Sequence, residues 1–319
     1  MKANKTMQWA LRPLLVATAL LSCSALQAAE TQPLNQPIAK GAYELAFSNS
    51  DNALFLATAQ NASTKGGTVY RLDPQDLSVK QTINTDLPTF GAAINQKTNT
   101  LFFGNTRDAA LTSVDASSGK VLNTLVLDAR KRSETVRPLQ PREVAADAAT
   151  DRVYVTGLGE QSVVWVVDGK TLKLVSTVPN TGKMGTGLAI DSAAQKLYVT
   201  NADGELVTIN TRLNAIEKRQ KIDGDKDHFF LNIALDTQGH RIFLSDSKQP
   251  QVLVLDSRTQ QVIHKIDVPE SLAVLFNADR NELYVTHRKA GEISIIDASS
   301  YKVKRTVKAP GLPNSLALS

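Results

Sequence analysis

Short apolar runs recur along this chain at nearly constant spacing. Six stretches share one shape: LFLAT (54–58), LFFGN (101–105), VYVTG (153–157), LYVTN (197–201), IFLSD (242–246) and LYVTH (283–287). Four apolar or small positions lead to a fifth that is polar or small. The fifth positions lie 47, 52, 44, 45 and 41 residues apart. About ten residues upstream of each sits an apolar stretch with a small centre: ELAFS, GAAIN, EVAAD, GLAID, NIALD and, with Leu275 in place of alanine, AVLFN. Downstream comes an apolar run ending in Asp73, Asp115, Asp168, Asn210, Asp256 or Asp297, then an alternating run such as KVLNTLVL or QVIHKIDV.

Each unit therefore reads as four short strands separated by Asp, Asn, Gly and Ser turns. Four strands in a period of about 40–45 residues predict the blade of a β-propeller. The small centres suit an inner strand beside a crowded axis, and the five-letter run suits a second strand buried between blades. The Asp or Asn after the third strand can bind its own turn backbone, a structural role.

The N-terminus stands apart from this pattern. Lys2, Lys5 and Arg12 precede the apolar run Leu14–Leu21, and small residues follow, which is the layout of a secretory signal with cleavage after Ala28. The apolar run is too short to span a bilayer. The whole chain carries +5, from 36 basic and 31 acidic residues. Removing residues 1–28 leaves 33 basic residues and a net charge of +2, so charge arguments must rest on local clusters. Cys23, the single cysteine, falls in the signal, so the mature chain offers no thiol chemistry. An alternative is a lipid anchor on Cys23, although Leu21 fits a lipobox poorly. The expected location is the periplasm of a Gram-negative bacterium.

With KGAYELAFS, GGTVYRLDP, RPLQPREV, NTGKMGTGLA, TNADGEL, PESLAVLFN and YVTHRKAG added to the repeated motif, the chain from Lys40 to Ser319 resembles the periplasmic YncE-type proteins of the YVTN β-propeller family. The resemblance implies an all-β fold, a seven-bladed β-propeller of four-stranded antiparallel blades. It also implies binding of nucleic acid, single-stranded DNA in particular, and no defined enzymatic activity. The sequence holds six complete repeats within residues 29–319, then LPNSLALS, the first strand of a seventh. Leu34–Ile38 is expected to supply the outermost strand of that last, incomplete blade, and a truncated C-terminus is the expected reason for the shortfall.

Propeller geometry puts the loops entering the inner strands and those after the second strands on one face, the top. The loop 128–143 brings Arg130, Arg132, Arg137 and Arg142 there; others bring Lys183, His228, Phe229 and Asn232; the last repeat brings Glu270, His287 and Arg288. Cations beside exposed rings suit single-stranded nucleic acid, because the cations follow phosphates while the rings stack on bases. They suit another anionic ligand or a periplasmic protein partner as well. The expected state is a monomer with no membrane span. The fifth-slot residues also read as turn formers, and Phe229 as partly core. Gly182–Gly187 looks like a phosphate loop but leads into a strand, whereas a dinucleotide fingerprint opens a helix. The four histidines lack metal-ligand spacing, and the sequence holds no nucleophile elbow, zincin or P-loop motif, so no metal, cofactor or catalytic residue is assigned. The competing class is a lactonase-like propeller hydrolase using Glu143 or Glu270 at the tunnel mouth, but fold alone does not carry that chemistry.

Overall fold

Alternating and doubly buried strands account for almost all of the regular structure. In a computed structural model, which describes residues 33–59, 65–224 and 226–318, 24 strands pair in chain order into six antiparallel four-stranded sheets. The expected signal segment, with Cys23, lies outside the described residues. Residues 34–319 form one unit.

The inner strands are Ala42–Ser48, Ala92–Asn95, Gln140–Asp147, Leu188–Asp191, Phe230–Asp236 and Val274–Asn277, and they lie side by side in chain order. The second strands are Ala53–Thr58, Thr100–Asn105, Arg152–Leu158, Lys196–Thr200, Arg241–Asp246 and Glu282–His287. These carry the five-letter motif and are almost wholly buried, as their two apolar faces require. The outer strands are exposed, and Val303–Lys308 shows five of its six residues to solvent. Five apolar clusters hold the blades together, one at each junction from the first to the sixth. A typical junction packs Phe55 and Val69 of the first blade against Leu101 and Phe103 of the second. Stability in such a stack is a sum of blade and nearest-neighbour contributions.

The Asp or Asn after each third strand is a turn device in all six blades. Its side chain accepts a backbone N–H two or three residues on, as from Gln75 to Asp73 and Ser118 to Asp115, and likewise at Asp168, Asn210, Asp256 and Asp297. The residue four beyond it has positive φ every time: Leu77, Gly119, Leu172, Asn214, Gln260 and Tyr301. Only one is glycine, so the turn is held by its hydrogen bonds against a local strain of about 1 kcal/mol at the other five.

The expectation of seven blades is corrected: the described residues form six. Residues 309–318 form no strand. Pro310 and Pro313 lack the N–H a ladder needs, and Gly311 takes a φ of +96°. This segment instead lies against the first blade, where Leu45 N–H donates to Ser315 Oγ at 3.3 Å. Leu34–Ile38, expected as an outermost strand, is not a strand either. Its residues 35–38 share a surface cavity with Ala42, Leu56 and Pro310.

Candidate functional site

The fourth and fifth letters of the motif show what the repeated top-face chemistry does. All six fifth-slot residues, Thr58, Asn105, Gly157, Asn201, Asp246 and His287, are buried. Most tie down the loop that enters the inner strand of the same blade. Asn105 Nδ2 donates to Pro88 O, Asn201 Nδ2 to Thr181 O, and Asp246 Oδ1 accepts from Phe229 N–H. His287 pairs Nδ1 with Pro269 O at 3.1 Å and Nε2 with Ser294 Oγ at 2.8 Å. Gly157 has no side chain because a Cβ would lie 2.6 Å from the Trp165 ring. The fourth slot is also used. Thr156, Ser245 and Thr286 hydroxyls accept the N–H groups of Glu143, Asn232 and Ala273, which precede or begin the regular inner-strand ladders. The motif is therefore a clasp between loop and strand, and its turn-forming role outweighs any role in presenting ligands.

The inner strands enclose a cavity of about 330 Å³ along the axis. Its polar groups are Glu44, Arg142, Glu143, Asn232, Asn314 and Ser315; Leu188, Leu231, Ile233, Leu275 and Phe276 are among its apolar walls. Glu44, Arg142, Glu143 and Asn232 all sit near the starts of their strands, at the top end. Tight backbone approach puts them there: a Cβ on Gly91 would lie 2.5 Å from Arg142 O, and one on Gly187 would lie 3.2 Å from Asn232 Cα.

Arg142 Nη1 meets Glu44 Oε1 at 3.0 Å, across 98 residues of sequence, and the guanidinium lies 5.2 Å from the Tyr43 ring centroid. Ala92 N–H donates to the other oxygen of Glu44 at 2.9 Å. Burial nevertheless raises the Glu44 carboxyl above its ordinary value, with Arg142 and the Ala92 N–H pulling it back. Glu143 is pushed up much further, first by burial and then by the Glu44 charge, and Arg142 only partly opposes this. The Glu143 carboxylate makes no hydrogen bond or ion pair within the described residues.

A second polar site lies on the top rim, where the loop after the second strand of the second blade meets the loop entering the third. A pocket of about 160 Å³ there is lined by Arg107, Arg130 and Arg132 with Asp108 and Asp128. Asp128 staples the loop, accepting from Arg130 and from Leu139 N–H at 2.7 Å. The Arg130 hydrogen bond is the main reason its carboxyl is held down at about 2. Arg107 stacks over Phe90 at 5.3 Å. Arg132 and Arg137 are exposed and make no ion pair within the described residues. Arg107 was missed in the sequence, although TRD follows the fifth slot just as the Arg288 pair follows His287.

The remaining expected residues are dispersed. Lys183 is exposed and pairs with Glu160 at 3.1 Å. Glu270 pairs with Lys289 at 3.6 Å, and Arg288 is exposed. His228 is buried rather than presented: Nδ1 lies 2.6 Å from Asp246 Oδ2, Nε2 lies 3.5 Å from Asp223 Oδ2, and the ring stacks on Phe230. His287 is likewise buried, and burial is the main cause that lowers its pKa. Phe229 is half-buried. Of the eleven expected residues, Arg142 and Asn232 line the axial cavity, and Arg130 and Arg132 the rim pocket. Gly182–Gly187 leads into the inner strand Leu188–Asp191, as its exclusion from the phosphate loops required. Among the described residues no group of three His, Asp or Glu side chains is placed to hold a metal ion. No helix among them is long and apolar enough to cross a membrane.

No family model matches the chain. Individual proteins do. The protein named YncE from Salmonella typhimurium is 56% identical over 308 residues, covering 96% of this chain and 87% of that one. The YncE of Escherichia coli strain K12 is also 56% identical over 308 residues, with the same coverage. Both carry the description uncharacterized. Identity at that level along almost the whole chain, together with the propeller fold, establishes that the chain belongs to the YncE family.

Proposed function

We propose that the protein is an exported, non-catalytic propeller whose top face captures an anionic ligand, with single-stranded DNA as the polyanion to test first. The observation that carries this is the rim pocket, where three arginines from two adjacent loops converge around a preformed concavity. Only two carboxylates share it, and one of them is already engaged by Arg130. Arg132 is left to meet a ligand, and Arg137 stands exposed on the same loop. Guanidinium groups in this arrangement suit phosphate oxygens, which they can contact in bidentate fashion. Periplasmic location is part of the proposal and rests on the signal-like N-terminus.

The test is fluorescence anisotropy of a labelled oligothymidylate across a salt series. Each phosphate contact contributes about 0.7 to the slope of log affinity against log salt. The variant Arg132→Ala is expected to lower that slope by about 0.7, while thermal stability changes by no more than about 0.5 kcal/mol. Absence of binding at low salt, or an Arg132→Ala curve that overlays the parent, overturns the proposal. Osmotic-shock fractionation tests export, with release of the chain into the shock fluid expected and retention in the cytoplasm contradicting it.

A further inference from the structure

The axial cavity has a charge imbalance that its own residues do not settle. Two carboxylates, Glu44 and Glu143, face one guanidinium, Arg142, and no other charged side chain lines the space. Arg142 is committed to Glu44 at 3.0 Å, and Ala92 N–H completes that carboxylate. Glu143 has no partner in the described residues and faces the cavity. The other polar groups there, Asn232, Asn314 and Ser315, carry no charge. Below this polar end the walls are aliphatic or aromatic: Leu188, Leu231, Ile233, Leu275 and Phe276. A volume of about 330 Å³ falls at the small end of the range for small-molecule sites.

We propose that this cavity binds a small organic monocation, a primary ammonium group on an unbranched apolar chain, with Glu143 as its counter-ion and the apolar walls around its chain. The site lies apart from the rim pocket and does not depend on the function assigned to that pocket. The argument is one of charge and shape together. A half-buried carboxylate without a partner among the described residues favours whatever positive charge can reach it. Burial and the Glu44 charge both raise the Glu143 carboxyl well above its ordinary value, so the site favours a proton or another positive charge there. An ammonium group can take the proton's place by donating to Glu143. A carboxylate ligand would add a third negative charge to the same space. An inorganic cation would leave the apolar walls in water.

The test is calorimetric titration of the full chain with n-hexylammonium chloride near neutral pH. Binding is expected, and because the ammonium group competes with a proton for the raised Glu143 carboxyl, affinity should weaken as pH falls. In Glu143→Gln affinity should fall about tenfold or more, because a charge-assisted bond is lost. Unmodified protein supplies a second measurement in case the variant does not fold. Across butyl-, pentyl- and hexylammonium, each added methylene should raise affinity about threefold to fourfold. Failure of hexylammonium to bind, equal binding of n-hexanoate, an affinity indifferent to chain length, or displacement by equimolar potassium each overturns the proposal. Oligonucleotide binding should be the same with and without hexylammonium, so the two proposals stand or fall separately.

Discussion

Removing Arg142 should expose how the tunnel mouth manages its charge. The substitution Arg142→Met keeps much of the apolar stem and deletes the cation that serves Glu44 at 3.0 Å. Both partners are largely buried, with side chains 19% and 9% exposed, so solvent screening is weak. Breaking such a pair costs about 3–5 kcal/mol when the remaining charge stays in place. Glu44 has an escape, however, because it can take up a proton. Neutralising a carboxyl whose ordinary value is 4.5 costs 1.36 kcal/mol for each pH unit above that value. The electrostatic loss is therefore capped at ~3 kcal/mol at pH 7 and at ~1 kcal/mol at pH 5. The lost contact with the Tyr43 ring adds ~1 kcal/mol at either pH. The sign follows from the shifts. Glu44 and Glu143 are both raised in the folded state, so each favours folding most below 4.5 and loses that contribution as pH rises towards its folded value. Without Arg142 the Glu44 value climbs higher and the loss extends further up the scale. Urea unfolding followed by the fluorescence of buried Trp165 reads this directly. The variant should be destabilised by ~4 kcal/mol at pH 7 and by ~2 kcal/mol at pH 5. Adding Glu44→Gln should recover part of the pH 7 loss. A cost that is equal at the two pH values, or a double variant weaker than the sum of the singles, would refute the reasoning.

Three further outcomes follow from the clasp and its neighbours. Ser245→Ala removes the hydroxyl that accepts Asn232 N–H at 2.9 Å and donates to Leu272 O at 2.6 Å, and should cost about 1–3 kcal/mol by urea denaturation, where no loss would contradict the bridge. Gly157→Ala drives a Cβ to within 2.6 Å of the Trp165 ring and should cost about 1–3 kcal/mol, with a red shift of Trp165 emission if the ring is displaced. His287 has a folded pKa below 6.5, chiefly through burial, so its contribution to stability is complete above 6.5 and fades as pH falls towards the folded value. An imidazole proton-resonance titration should place its midpoint below 6.5, and a midpoint above that would show that the ring is not buried as described.

Repetition made the blades legible. The buried second strand must be apolar on both faces and the third must end in a turn, so the same letters return wherever the same packing returns. That is why the motif and the turn-binding Asp or Asn are found as expected in all six blades. The blade count was harder, because LPNSLALS has the composition of an inner strand without one. Strand pairing needs a partner with matching register, and residues 309–318 form no ladder: Ala309 N–H bonds Gly291 O, and Leu45 N–H bonds the Ser315 side chain. Local pattern records what a segment could pair with; whether it pairs is decided elsewhere in the chain. The positive-φ residue at the fourth place beyond each turn Asp or Asn was also invisible, since leucine, glutamine and tyrosine give no sign of a left-handed backbone.

The site was less legible than the fold, for a reason that the residues themselves make plain. Sequence reasoning grouped Arg142 with Arg130, Arg132 and Arg137 because the four lie within 13 positions of one another. Strand geometry separates them. The first three stay on the rim loop, while Arg142 enters the inner strand Gln140–Asp147 and turns to the axis. There it meets Glu44, which no local pattern links to it. The charge of a residue is legible in its letter, but its effective charge depends on what the fold brings opposite. Arg142 is a cation neutralised by its partner, and the neighbouring Glu143, which drew attention only as part of a hydrolase alternative, is left as the uncompensated group. The same logic runs through the histidines. His228 and His287 stand in top-face loops by sequence, yet both rings turn inward to bind Asp246 and Pro269 O. A top-face position therefore does not by itself make a polar residue available to a ligand. What does so is the absence of an internal partner together with a place in a cavity wall, and by those two criteria Arg132 in the rim pocket and Glu143 in the tunnel are the charged groups on which ligand binding should be tested first.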